Sequence, residues 1–287
     1  MEKRLHVITR IMVIILIVLI IVLAAVIFFK MKDTDKEKDD AKSTTDTEQA
    51  AGTDSSVDNP TAMQAITDMQ AGTVVDRAQV DPGMLDQYFV ANEISDDIFQ
   101  FIYGMSFVDN ESIAREQLRY LKVLHFNYNH EVQVGELIVN VNIAEDVRNI
   151  FRELYEQEYE IQSMLLVDRF WTAEDNGAST DRNSIENNNT SAFFYRNIAG
   201  TDQLSNHAMG YAIDINPLQN PCVAYNEDGS FREIYTDMER YIDRANGEPH
   251  MIGHEDICYQ IFAKYGFTWG GDWTDPIDYQ HFEKNLG

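Results

Sequence analysis

The sequence has few cysteines and few basic residues for its length. Its 287 residues include two cysteines, Cys222 and Cys258, which excludes a disulfide framework and a four-cysteine zinc site. The two can form one disulfide or remain two thiols, and their positions leave both readings open. Only 22 residues are Lys or Arg against 48 Asp or Glu, for a net charge of −26. Because nucleic acids are bound through clustered positive charge, this balance argues against a nucleic-acid partner.

One long apolar run is present, at the N-terminus. Residues 11–29 contain no charged side chain, and as a helix they would span about 28 Å, close to the hydrocarbon thickness of a bilayer. The short tail before them carries Lys3, Arg4 and Arg10, which favours a cytoplasmic N-terminus. We therefore expect residues 1–30 to form a cytoplasmic tail and a single-pass anchor in the cell membrane, with the rest of the chain outside the cell.

A polar segment follows the apolar run. Residues 31–60 include four basic and nine acidic side chains and almost no large apolar ones, so they cannot offset the entropy lost on ordering. We expect residues 31–82 to form a flexible acidic stalk. With 44% hydrophobic and 11% aromatic residues in the whole chain, residues 83–287 can bury a sizeable core and are expected to form one folded domain.

Helical and strand patterns are mixed within this domain. "NIAEDVRNIFRELYEQ" and "EDICYQIFAKYG" are amphipathic helices, while "GELIVNVN" and "YEIQSMLLVDRF" have strand character. Regular alternation of strand and helix is missing, which predicts an α+β fold with a small antiparallel sheet flanked by helices. Residues 168–197 are rich in Asn, Ser and Asp and are expected to be a long loop that forms one wall of a cleft.

The stretch "SNHAMGYAIDINP" places an aspartate, Asp214, between two isoleucines. A carboxylate in such an apolar strand costs several kcal/mol unless a partner or a cation meets it. Gly210 permits the chain to reverse, and the reversal would bring His207 level with Asp214. This arrangement supplies one nitrogen and one oxygen ligand on the same side of the strand.

A third ligand is available near the C-terminus, in "WGGDWTDPIDYQHFE". A catalytic zinc ion usually takes three protein ligands and leaves one position open, and His281 supplies the missing one. Asp278, three residues earlier, is a carboxylate that can take a proton from the attacking water. The predicted centre is His207, Asp214 and His281 around Zn²⁺, with Asp278 as general base. The rival pair His250 and His254 lacks the glutamate of a zincin motif and is disfavoured.

"SNHAMGYAID" matches the pattern S-x-H-x-x-G-x-A-x-D of the M15 zinc peptidases, and "WGGDWTDPIDYQHFE" resembles the closing motif of their endopeptidase-like branch. This group contains D-alanyl-D-alanine carboxypeptidases, D-Ala-D-Ala dipeptidases and L-alanyl-D-glutamate endopeptidases. The similarity covers about residues 83–287. It implies the same ligands and base and a peptidoglycan peptide as substrate, with carboxypeptidase action first and endopeptidase action second. A non-catalytic zinc-containing cell-wall binding module is the alternative, disfavoured because Asp278 is present.

The resemblance also implies substrate-binding residues. Ser205 is expected to contact substrate, and family members use an arginine to stabilise the oxyanion. Arg196 and Arg169 both qualify for that role here, and we favour Arg196. Trp273 is interpreted either as part of a substrate cleft or as a core residue. The usual Gly-Tyr-Arg-Ser stretch of the family is replaced by the Asn-rich segment, which leaves the bond cleaved open.

Overall fold

The computed structural model describes residues 66–231 and 238–285, which belong to one unit, Asp58–Gly287. Within these ranges, no helix is long and apolar enough to cross a membrane. The predicted anchor at residues 11–29 and the predicted stalk up to residue 65 lie outside the described residues. Both therefore stay predictions.

The largest sheet has four antiparallel strands: β1 (Val74–Val75), β2 (Val90–Glu93), β3 (Leu118–Phe126) and β4 (Val132–Asn140). Their spatial order is β1-β4-β3-β2. Strands β3 and β4 pair along nine residues each, from Leu118 opposite Asn140 to Phe126 opposite Val132. Most side chains of both strands are buried, so this hairpin forms the centre of the fold.

Four described helices accompany the sheets: α1 (Asp96–Ile102), α2 (Ala144–Glu156), α3 (Thr180–Glu186) and α4 (Ile257–Lys264). Helix α2 buries the stripe predicted from its 3.6-residue period, with Val147, Ile150, Phe151, Leu154 and Tyr155 all in the core. It packs against β3 and α4. This mixture of helices and small antiparallel sheets is the architecture that the sequence predicts.

A three-stranded antiparallel sheet carries the two motifs, in the order β7-β11-β9. Its strands are β7 (Ala212–Asp214), β9 (Thr268–Trp269) and β11 (His281–Glu283). Beside it, β8 (Cys222–Val223) pairs with β10 (Ile277–Asp278). A parallel pair, β5 (Ser163–Met164) with β6 (Asn189–Thr190), completes the described strands. Residues far apart in sequence thus become neighbours on one sheet.

The folded domain begins earlier than residue 83. Ile66 and Val75 are buried in the main core, and β1 pairs with β4. Residues 66–82 are therefore part of the domain and not of the stalk. The sequence pattern does not predict that these residues belong to the domain. Their apolar side chains are isolated among Asp, Gly and Gln, so neither a strand period nor a helix period is visible.

Two further segments differ from expectation. The strand predicted over residues 159–170 is reduced to β5 and a 3₁₀ turn at Val167–Phe170. The expected loop at residues 168–197 contains α3 and β6. Several of its polar residues are buried and hydrogen-bonded, since the Asn189 amide donates to Ser184 Oγ at 3.0 Å and to the Leu165 carbonyl at 2.9 Å. Internal hydrogen bonding explains why a polar composition here does not mean an irregular loop.

The turn between the two predicted ligands depends on Gly210. Its φ is +70°, and a Cβ atom there would lie 2.6 Å from the Asn140 backbone nitrogen. That nitrogen donates to the Gly210 carbonyl at 2.8 Å. The turn is therefore pressed directly against the end of β4.

We expect Gly210→Ala to lower the free energy of unfolding by more than about 2 kcal/mol, because it adds left-handed strain and a backbone clash. Gly247→Ala is the matched control: its φ is +62° and nothing lies within 4 Å of its Cβ position, so it adds strain alone. Urea unfolding of both variants measures the difference. Equal losses would contradict the close packing of the turn on β4.

Candidate metal centre

Two neighbouring strands and one turn bring the predicted ligands together. Asp214 at the end of β7 lies directly opposite His281 at the start of β11. The turn that Gly210 closes, with a hydrogen bond from its backbone nitrogen to the His207 carbonyl at 3.0 Å, returns His207 to the same point. All three are buried, with 5, 7 and 6% of His207, Asp214 and His281 exposed.

The three side chains meet through specific atoms. His207 Nε2 lies 3.2 Å from His281 Nδ1. The Asp214 carboxylate is 3.0 Å from His281 Nδ1 and 3.3 Å from His207 Nε2. Ligand atoms around a tetrahedral zinc ion with bonds of about 2.1 Å lie about 3.4 Å apart. In residues 66–231 and 238–285, this is the one group of three or more His, Cys, Asp or Glu side chains that converges in this way.

The hydrogen bonds of the two histidine rings also suit a bound cation. The other ring nitrogens are occupied, since His207 Nδ1 donates to the Ala192 carbonyl at 2.6 Å and His281 Nε2 lies 3.1 Å from the Glu283 carboxylate. When both rings are neutral, the inward nitrogens carry no proton and face a carboxylate. The point where these lone pairs meet then needs a positive charge, either a proton or a cation. Zn²⁺ fits both the spacing and the mixed nitrogen and oxygen donors.

Electrostatics at this point favour positive charge. Burial alone would raise the pKa of Asp214, but the charges and hydrogen bonds of His207 and His281 outweigh it and hold that pKa well below its usual value. Burial alone would lower the pKa of His281, but hydrogen bonds with Asp214 and Glu283 outweigh it and raise that pKa to about 10. The protein thus holds one positive charge where a metal ion would displace the proton.

Asp278 lies beside the centre, on β10 opposite Cys222 of β8. Burial, with the nearby Asp214 charge, raises the pKa of Asp278 to about 6, and the Cys222 thiol hydrogen-bonds its carboxylate. Its Oδ1 is buried and has no hydrogen-bond partner. A buried carboxylate oxygen without a protein partner is available to a water molecule or another polar group. Both cysteines are free thiols, Cys222 exposed and Cys258 buried, so they do not form the disulfide that the sequence allowed.

The centre has three ligands and not four. Neither Asp278 nor Cys222 joins the convergent group of His207, Asp214 and His281. Structural zinc sites are closed by four protein ligands, whereas catalytic sites leave one position for water or substrate. Three converging side chains, one fewer than a closed structural site uses, match the number of protein ligands in catalytic zinc sites.

The two candidate arginines have different surroundings. Arg169 forms a 2.5 Å ion pair with the buried Glu136 and lies over the Phe101 ring. Its guanidinium group is therefore engaged in contacts within the fold. Arg196 pairs with Asp181 of α3 at 3.1 Å and interacts electrostatically with Cys222, the neighbour of Asp278. Its Nε is buried and has no hydrogen-bond partner. Arg196 thus lies within electrostatic range of Cys222, whereas the placement of Arg169 gives no support to a substrate-binding role.

Ser205 and Trp273 are also near the ligands. The Ser205 hydroxyl accepts a hydrogen bond from the Ala208 backbone at 3.2 Å, which supports the turn containing His207. Trp273 is partly exposed and its ring centroid lies 5.1 Å from that of His281. Trp273 is therefore placed to form a wall beside the centre, whereas the Ser205 hydroxyl is engaged within the turn.

The disfavoured histidine pair does not converge. His250 stacks on Tyr128, with ring centroids 3.8 Å apart, and His254 hydrogen-bonds Asp272 at 2.8 Å. Each histidine thus has its own partner, which agrees with the interpretation of this pair as no metal site.

Two groups at the centre are missed by the sequence reasoning. One is the Ala192 carbonyl, a backbone acceptor that no side-chain pattern reveals. The other is Glu283, whose signal is visible in retrospect: in a strand, residues two apart point to the same side, so Glu283 shares a side with His281.

Comparison with known proteins agrees with this geometry. Residues 199–284 match the model of an M15 peptidase family described as D-alanyl-D-alanine carboxypeptidase. The matched segment contains both motifs and so confirms the predicted resemblance, over a shorter range than residues 83–287. No curated protein and no solved structure matches the chain.

We expect the purified protein to retain about one equivalent of Zn²⁺ after dialysis, and His281→Ala to lose it, because two remaining ligands do not hold a catalytic zinc. His254→Ala is the control, since it removes an exposed histidine outside the cluster. Metal content measured by mass spectrometry checks both variants. Full zinc content in His281→Ala would contradict the ligand assignment.

Proposed function

Because residues 199–284 carry an M15 peptidase-family domain, we propose that the protein is a zinc-dependent peptidase that hydrolyses peptidoglycan stem peptides. The most favoured activity is that of a D-alanyl-D-alanine carboxypeptidase. One observation supports catalysis above the others: three buried side chains, one fewer than a closed structural zinc site uses, converge near Asp278, whose buried Oδ1 has no protein partner.

His207, Asp214 and His281 would hold the ion. When bound, Zn²⁺ supplies Lewis acidity that polarises the scissile carbonyl and makes water more acidic. Asp278 takes the proton of the attacking water and returns it to the leaving amine. With a pKa of about 6, Asp278 is mostly ionised at neutral pH, yet it is a stronger base than an ordinary aspartate.

Arg196 is the proposed oxyanion-stabilising group. Its ion pair with Asp181 restrains the guanidinium within electrostatic range of Cys222, and preorganised donors stabilise the charge that develops on the carbonyl oxygen. The partly exposed Trp273 beside His281 offers an apolar wall for a peptide side chain.

The family description supports the carboxypeptidase as first choice. The likeness of "WGGDWTDPIDYQHFE" to endopeptidase motifs keeps cleavage between L-Ala and D-Glu as the second candidate. The open coordination position argues against a non-catalytic binding module, which needs no such position.

We propose that this domain acts outside the cell, tethered to the membrane. The support is the sequence alone: the uncharged apolar run at residues 11–29, the basic tail before it and the acidic polar segment after it. A domain held in this way would meet cell-wall peptides close to the membrane.

Digestion of defined muropeptides, with and without a chelator, tests the activity. We expect zinc-dependent release of terminal D-Ala, identified by mass. A cut between L-Ala and D-Glu would select the endopeptidase instead. An uncut peptide in the presence of zinc-loaded protein would refute the enzyme assignment.

Asp278→Asn is expected to keep stoichiometric zinc and to lower kcat by about 10²–10⁴-fold, the usual contribution of a general base. Asp272→Asn is the matched control, because Asp272 lies in the same motif but bonds the exposed His254. Initial rates and metal content are measured together on both variants. Unchanged turnover in Asp278→Asn would rule out its role as base.

A further inference from the structure

We propose that Glu283 is a positioning residue for His281: it fixes the ring so that Nδ1 faces the metal centre, and Asn206 in turn fixes Glu283. The inference rests on the proposed zinc centre but not on any particular peptide substrate. It assigns a role to two residues that neither bind the ion nor contact the reacting atoms.

The first step concerns the orientation of the His281 ring. Its Nδ1 lies 3.0 Å from the Asp214 carboxylate, and its Nε2 lies 3.1 Å from Glu283 Oε2 on the opposite edge. If the ring turned over, carbon atoms would replace both nitrogens at these positions. The Glu283 carboxylate disfavours that flip, because an anion pairs with an N–H group and not with carbon.

The second step concerns the protonation of the ring. With a cation held at Nδ1, the remaining ring proton lies on Nε2, where the Glu283 carboxylate accepts it. The negative charge of Glu283 also makes the ring a more basic ligand. Outer carboxylates of this kind typically change metal affinity by about 10–100-fold.

The third step concerns what holds Glu283. The part-buried Asn206 amide donates to the same Oε2 at 2.5 Å, whereas the exposed Asn285 amide bonds only Oε1, the oxygen that faces away from His281, at 3.1 Å. Asn206 immediately precedes His207, so this bond joins the first motif to the last. Asn206, the neighbour of the ligand His207, thereby restrains the Glu283 carboxylate that orients the ligand His281.

The strand register brings these side chains together. Glu283 pairs with Ala212, and His281 pairs with Asp214. The backbone of Tyr211 donates to the Asn206 carbonyl at 2.9 Å. The backbone contacts that align β7 with β11 thus also place the Asn206 amide against Glu283.

Zinc affinity, measured on the whole protein by competition with a chromophoric chelator, tests the proposal. We expect Glu283→Gln to weaken zinc binding by about 10–100-fold, since it keeps the shape and an accepting oxygen but removes the charge. Asn206→Ala should weaken binding by a smaller factor. Asn285→Ala is the matched control: it removes a bond to the other oxygen and is expected to stay within about twofold of the wild type.

A second measurement separates positioning from a merely structural role. In imidazole ¹H–¹⁵N spectra of the zinc-loaded protein, His281 should appear with its proton on Nε2, and that proton should exchange faster with water in Glu283→Gln. Thermal unfolding of the metal-free variants reports any general loss of stability.

Wild-type zinc affinity in Glu283→Gln, an equal loss in Asn285→Ala, or a proton on Nδ1 of His281 would each overturn the inference. A wild-type protein that binds no zinc would overturn it together with the centre itself. If the expected affinities are found but no muropeptide is cut, the proposed function fails while the role of Glu283 stands.

Discussion

The buried charge of Asp214 is the constraint on which the rest of the site depends. A carboxylate removed from water between two isoleucines costs several kcal/mol unless opposite charge meets it. His207 and His281 lie 3.3 and 3.0 Å from it, and in the metal-free protein a proton on His281, whose pKa is raised to about 10, balances the charge. A metal ion at the point where their nitrogens converge balances the charge and uses every lone pair directed there.

This requirement links the site to the main fold. His207 reaches Asp214 only because the turn at Gly210 lies against the end of β4, where the Asn140 backbone and side chain bond the carbonyls of Gly210 and Met209. On the other side, His281 is aligned by pairing of β11 with β7. The two ligand-bearing segments are therefore held by backbone hydrogen bonds before any metal binds, which lowers the entropy lost on binding.

Sequence reasoning predicts much of the site and less of its surroundings. The convergence of His207, Asp214 and His281 could be predicted because strand alternation, a glycine turn and zinc chemistry constrain the same few residues. Helix α2 could be predicted from its apolar stripe. It could not be predicted that residues 66–82 belong to the domain, because they are held there by isolated apolar contacts. The regular structure within residues 168–197 could not be predicted either, because it depends on buried polar pairs such as Asn189 with Ser184. The surroundings of Arg169 and the hydrogen bond from Asn206 to Glu283 likewise depend on tertiary contacts, which no local sequence pattern predicts.

The proposed zinc centre is open, with two imidazoles and one carboxylate, beside a base that is not a ligand. X-ray absorption at the zinc edge of the loaded protein identifies the ligand atoms. We expect only nitrogen and oxygen neighbours at about 2.0–2.2 Å, two of them imidazoles. A sulfur neighbour at about 2.3 Å would mean that Cys222 closes the site, and it would contradict both the open position and the catalytic role built on it.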